Sequence, residues 1–166
     1  MTDFIPADPA AKEIVAFLAE IGLPVRFTEF SEPAFLPGIR IVRGTLDVDP
    51  SRITWWGDLL HEAGHLAVVP AAERAAMGED AGADGGPEIA AIAWSWAALV
   101  HLDIDPRMVF HEGGYKGGSQ HLIEMFRAGG SMGVPLLQWM GLTADAKLAP
   151  TLGVPPFPHM RRWLRE

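Results

Sequence analysis

The chain of 166 residues contains no cysteine. Disulfide bonds, zinc sites built from thiolates and cysteine nucleophiles are therefore excluded within this sequence. Any metal ion must instead be held by histidine, aspartate or glutamate side chains. The chain has 6 histidines and 21 acidic residues, so ligands of this kind are plentiful.

Positive charge and long apolar runs are also scarce. Lysine and arginine number 13 and the formal net charge is −8, which argues against direct binding of nucleic acid, because that needs a basic face. The most apolar stretch, Ile89 to Leu102, is too short to cross a bilayer. The opening MTDFIPADPAAKE lacks the basic and apolar regions of a signal peptide. We therefore expect a cytoplasmic protein without membrane contact, of undetermined oligomeric state.

Length and composition indicate a single soluble domain over residues 1–166, with 49% hydrophobic and 20% charged residues. Alternating apolar residues predict strands over 24–30 and 38–44, while Leu46 and Val48 extend the second strand or begin a third. Residues 108–111 are expected to form a short strand or an extended segment. Helical spacing and capping signals predict helices over 9–21, 53–69, 71–77, 88–102, 119–128 and 134–140. The predicted fold is α+β: one compact domain with a small β-sheet packed on helices.

One motif carries the chemistry: His61-Glu62-Ala63-Gly64-His65, an HExxH pattern on the predicted helix 53–69. Residues i and i+4 share one helix face, so His61 and His65 can both direct a ring nitrogen at one metal ion. Glu62 projects beside them, suited to taking a proton from a metal-bound water. Zinc is the expected ion, although the same ligands accept nickel, cobalt or manganese.

Composition alone does not account for the motif. A chance HExxH is expected only about 0.01 times in a chain of this histidine and glutamate content, and the motif lies on a strongly apolar helix. Gly64, between the two histidines, would let a neighbouring backbone approach closely. The alternative is a buried histidine pair that only packs, which would need other polar partners.

A catalytic zinc ion needs a third protein ligand. The extended motif HExxHxxGxxH is absent, because Val68 and Ala71 occupy its glycine and third histidine positions. Glu88, in the first turn of the next long helix, is the preferred candidate, although a glutamate there can simply stabilise the helix dipole. His111 and the loop residues Asp80 and Asp84 stay open as ligands. His101 is a poorer choice, since it lies about 20 Å from Glu88 along the same helix.

Two strands, an HExxH helix and a glutamate in EIAAIAWSWAAL together resemble the ImmA/IrrE-type zincin peptidases, over roughly residues 24–102. In that family the glutamate begins an E-x-x-A-x-x-aromatic pattern, which Glu88, Ala91 and Trp94 match here. The resemblance implies a compact zincin-like domain, with zinc held by His61, His65 and Glu88 and with Glu62 as general base. It also implies a peptide or protein substrate, in this family often a transcriptional repressor.

Three further residues are candidates for supporting roles. The glycine-rich loop that contains the only tyrosine, Tyr115, could bring either Tyr115 or His111 to a developing oxyanion; the alternative is a plain surface loop. Asp58, three residues before His61, could orient an imidazole or be an ordinary solvated helix residue. Arg161, Arg162 and Arg165 are expected at a solvated helix end.

These residues favour a zinc-dependent metallopeptidase in which Glu62 activates the attacking water. The substrate would bind as an added strand along an edge of the sheet. The alternative from a different class is a catalytically silent zincin-like module that binds metal or a partner without turnover. A third possibility is metal-dependent hydrolysis of a small molecule.

Overall fold

In the computed structural model, which describes residues 4–78 and 85–166, the chain forms an α+β domain. Within those residues there are seven α-helices and one three-stranded sheet. The helices are α1 (Pro9–Glu20), α2 (Asp58–Val68), α3 (Ala71–Arg74), α4 (Gly85–His101), α5 (Ser119–Arg127), α6 (Val134–Trp139) and α7 (Ala149–Leu152). The strands are β1 (Val25–Phe27), β2 (Ile39–Val42) and β3 (Thr45–Val48). No helix in the described part of the chain is long and apolar enough to cross a membrane.

The sheet is mixed, with the order β1-β3-β2. Strand β3 pairs with β1 in parallel and with β2 in antiparallel orientation. The third strand that Leu46 and Val48 could have begun is therefore present, and both side chains are fully buried. On the opposite face Arg26 donates to the carboxylate of Asp47. The sheet thus presents one apolar face to the helices.

Helices α2 and α4 form the centre of the core. The buried residues of α2 include Leu59, Leu60, Ala63 and Leu66, and α4 is buried along most of its length. Because α4 carries small side chains on its inner side, the two helices pack closely. This pairing brings the HExxH motif next to the first turn of α4.

Three local predictions were wrong. The helix expected from residue 53 begins at Asp58, because Trp55 is stacked on the His111 ring and Gly57 lies against the backbone carbonyl of Met108. The segment 108–111, expected as a short strand or an extended segment, begins instead with helical backbone: Met108 ends a 3-10 turn that Asp105 caps, and Val109 also has helical φ and ψ. The end of the sequence is not helical after α7.

Arg165 therefore does not lie on a solvated helix end. Its backbone N–H donates to the Ala67 carbonyl at 2.9 Å and its guanidinium to the Val68 carbonyl at 3.3 Å. Arg74 adds a bond from Nε to the Leu66 carbonyl at 2.9 Å. These donors satisfy carbonyls that the last turn of a helix leaves without partners. The C-terminal segment consequently holds the end of the HExxH helix.

Candidate metal centre

The two motif histidines lie side by side on α2. Their Nε2 atoms are 3.1 Å apart, and the ring planes are nearly perpendicular at 87°. His65 is only 4% exposed and His61 14% exposed. The i, i+4 spacing on α2 brings a ring nitrogen of each histidine to one place, as the sequence predicted.

Glu88 of α4 completes a triangle of ligand atoms. Its Oε2 lies 3.1 Å from His65 Nε2 and 3.5 Å from His61 Nε2. A tetrahedral zinc ion with bonds near 2.0–2.1 Å keeps its ligand atoms about 3.3–3.4 Å apart. The three atoms thus stand at the spacing of such a ligand set. His61, His65 and Glu88 form a group that could hold a metal ion.

The close approach of α4 depends on Gly64. A Cβ on Gly64 would lie 2.9 Å from the carbonyl oxygen of Ala91 and 3.1 Å from its Cα, closer than carbon atoms pack without strain. The Ser95 hydroxyl also links the helices, lying 2.7 Å from the Ala91 carbonyl and 3.3 Å from the Leu60 carbonyl. The sequence expectation for Gly64 is confirmed, and Ala91 is one helical turn after Glu88.

Glu62 lies partly buried beside the ligands. Burial raises the pKa of its carboxyl group, while the nearby His61 and His65 rings oppose the rise. Asp58 and Glu88 add further negative charge and raise the pKa of Glu62 as well. A carboxylate with a raised pKa accepts a proton more readily near neutral pH, which suits a general base.

The charges of the group favour a cation. Hydrogen bonds from His61 and His65 hold the pKa of Glu88 well below its usual range, although burial opposes this. Burial lowers the pKa of His61, but the hydrogen bond and charge of Glu88, with Glu62 and Asp58, outweigh burial and raise it. Three carboxylates therefore surround two imidazoles. A divalent ion among them would offset two of these three negative charges.

His111 is not part of the triangle. Its Nε2 lies 2.8 Å from Asp58 Oδ1, and its ring stacks on Trp55 with centroids 4.4 Å apart. Asp58, expected to orient an imidazole of the metal site or to be solvated, pairs with this ring instead, and burial raises the pKa of its carboxyl group. The carbonyl of His111 also accepts a bond from the Ser119 hydroxyl at 2.5 Å. His111 is thereby attached to the start of α2 through Asp58 and to the start of α5 through Ser119.

Tyr115 reaches the centre from the same loop. Its hydroxyl lies 3.3 Å from His61 Nδ1, the ring nitrogen that does not take part in the triangle. Burial raises the pKa of the phenol well above its usual value, and Asp58, Glu88 and Glu62 add to the rise. Tyr115 is therefore a neutral hydroxyl. Roles for Tyr115 and His111 at an oxyanion stay predictions.

The other possible ligands are less well placed or lie outside the described residues. His101, at the far end of α4, packs against the rings of Phe17 and Trp163. Asp80 and Asp84 belong to the segment 79–84, outside the described residues. Glu88 is thus the carboxylate that the described structure brings to the two histidines.

Two residues that support the site, Ser95 and Trp55, were not expected from the sequence. Ser95 bridges α2 and α4, and its position seven residues after Glu88 puts it on the same helix face, so its spacing could have indicated this contact. Trp55 stacks on His111 across more than fifty residues of sequence, and no local pattern indicates that pairing.

Comparison of the chain with models of protein families, with curated proteins and with solved structures found no match. The likeness to ImmA/IrrE-type peptidases thus rests on the motif residues of the chain itself and stays a prediction.

Proposed function

We propose that this protein is a zinc-dependent peptidase. The observation that carries the proposal is the triangle of His61 Nε2, His65 Nε2 and Glu88 Oε2, with sides of 3.1, 3.1 and 3.5 Å. Two neutral nitrogens and one carboxylate are the ligand set of catalytic zinc sites with a glutamate ligand, which leave a fourth position open. When bound, zinc supplies Lewis-acid activation of a water molecule and of the scissile carbonyl.

Each side chain has a defined task in this proposal. His61, His65 and Glu88 hold the ion. Glu62, one residue after His61 and with a raised pKa, takes a proton from the attacking water and delivers it to the leaving amine. The peptide substrate would run as an added strand along an edge of the sheet. By the family resemblance alone, a transcriptional repressor is the proposed kind of substrate.

The test separates metal binding from turnover. Purified protein loaded with zinc would be incubated with a mixed peptide library, and new termini would be read by mass spectrometry. We expect cleavage by the wild type and none by Glu62→Gln, with equal zinc content in both. Glu62→Asp serves as the matched control, because it keeps the carboxylate but shortens its reach.

The other outcomes have defined meanings. Cleavage by zinc-loaded Glu62→Gln would refute Glu62 as the base. Zinc binding by both proteins without cleavage by either would favour the silent binding module. Hydrolysis of small esters or amides but of no peptide would move the function to small-molecule hydrolysis.

A further inference from the structure

The loop over residues 111–118 is attached at two points to the face of α2 that bears the ligands. His111 Nε2 lies 2.8 Å from Asp58 Oδ1, and the Tyr115 hydroxyl lies 3.3 Å from His61 Nδ1. Asp58 and His61 are three residues apart and therefore share one helix face. The first contact anchors the loop, and the second brings the tyrosine to a ligand.

The backbone that carries the tyrosine is held in an uncommon conformation. Tyr115 and Lys116 have φ values of 54° and 53°, in the left-handed region that few residues other than glycine adopt. Such backbone persists only where surrounding contacts fix it. Here the ring of Tyr115 packs edge-on to His61 and against Phe110, with centroids at 5.5 and 5.1 Å. The residue with the strained backbone is therefore the one whose hydroxyl contacts His61.

The two histidines differ in the contacts of their Nδ1 atoms, the ring nitrogens that are not part of the triangle. Among the described residues, the buried Nδ1 of His65 has no hydrogen-bond partner, and that ring is fixed by its near-complete burial. His61 is more exposed, and its Nδ1 meets the Tyr115 hydroxyl. A neutral phenol has lone pairs that can accept a bond from an imidazole N–H. Of the two rings, His61 is the one whose orientation depends on a polar contact.

We propose that Tyr115 is a positioning residue for His61. Its hydroxyl accepts a hydrogen bond from Nδ1–H of His61, and this fixes the tautomer that leaves the Nε2 lone pair free to bind the ion that His65 and Glu88 would also hold. The inference rests on the proposed zinc site. It assigns Tyr115 a task at the ligand rather than at the reacting carbonyl.

The test uses the whole chain and zinc alone. Dissociation constants for zinc would be measured by competition with a chromophoric chelator for the wild type, Tyr115→Phe and Thr143→Val. Thr143→Val is the matched control, because it also removes one hydroxyl and its hydrogen bond: Thr143 Oγ1 donates to the His159 carbonyl at 2.7 Å, and neither residue belongs to the proposed site. The free energy of unfolding of each zinc-free protein is measured in parallel, so that a general loss of stability is seen separately.

We expect Tyr115→Phe to bind zinc about 10-fold more weakly, the lower end of the loss seen when a partner of a metal-bound histidine is removed. Thr143→Val should bind zinc as the wild type does. Equal zinc affinity of wild type and Tyr115→Phe would overturn the positioning role and leave the zinc site intact. Equal weakening in both variants would also overturn it. Failure of the wild type to bind zinc would instead overturn the site itself and this inference with it.

Discussion

The substitution Gly64→Ala tests whether the approach of α4 to α2 builds the site. The new Cβ would lie 2.9 Å from the Ala91 carbonyl oxygen and 3.2 Å from the Ala91 Cβ. Overpacking of this kind costs about 1–3 kcal/mol. Alanine is favoured over glycine within a helix by about 0.8–1 kcal/mol. The free energy of unfolding should therefore fall by about 1 kcal/mol, and the melting temperature by about 2–4 °C for a domain of this size.

The same clash should weaken zinc binding. Ala91 is one turn from Glu88, so a shift of α4 at Ala91 moves the Glu88 carboxylate away from the two Nε2 atoms. To bind zinc, the variant must return α4 to its original distance from α2 against the clash. This cost of about 1 kcal/mol makes the affinity for zinc roughly fivefold weaker.

The assay compares Gly64→Ala with Gly86→Ala. A Cβ at Gly86, which lies within α4, meets no atom within 4 Å, so this control should keep its zinc affinity, and its free energy of unfolding should rise by up to about 1 kcal/mol. Urea unfolding of the zinc-free proteins and competition with a chelator give the two quantities. If Gly64→Ala behaved like Gly86→Ala in both measurements, the close approach of the helices would not be what positions Glu88.

Three further predictions follow from individual contacts. In the zinc-free protein the pKa of Glu88 is lowered on folding. The ionised Glu88 therefore stabilises the fold above its unfolded pKa of 4.5, and this stabilisation is lost as the pH falls through the folded pKa. Urea unfolding at several pH values should show that Glu88→Gln loses this acid dependence. Arg74→Met should lower the free energy of unfolding by about 1.5–3 kcal/mol, and the exposed Arg161→Met should change it by less than about 0.5 kcal/mol. Gly57→Ala would press a Cβ into the Met108 carbonyl, and we expect little folded protein by circular dichroism.

The parts of the fold that could be predicted are those with local signals. Asp8 before Pro9 predicted the start of α1, and the Asp8 side chain accepts from the Ala10 N–H at 2.9 Å. The spacing of His61 and His65 predicted that their nitrogens would meet, and they do, at 3.1 Å. Both outcomes depend on residues within one turn of each other. Glu88 was found because a proline and a long apolar run indicated the first turn of a helix.

The rest of the site depends on contacts between distant segments. Tyr115 and His61 are 54 residues apart, and His111 and Asp58 are 53 apart. Glycines around Tyr115 indicate a loop, but its left-handed backbone at Tyr115 and Lys116 is imposed by packing. The bond from Arg165 to the end of α2 spans 97 residues. Because these pairs are fixed by tertiary structure, no periodicity in the sequence predicts them.

The most direct test of the proposed site is the metal content of protein purified without a histidine tag and offered zinc. We expect about one zinc ion per chain in the wild type, as three protein ligands and an open position require, and its loss in both His61→Ala and Glu88→Ala. Zinc retained in Glu88→Ala would contradict the assignment of the third ligand. No zinc in the wild type would contradict the site as a whole.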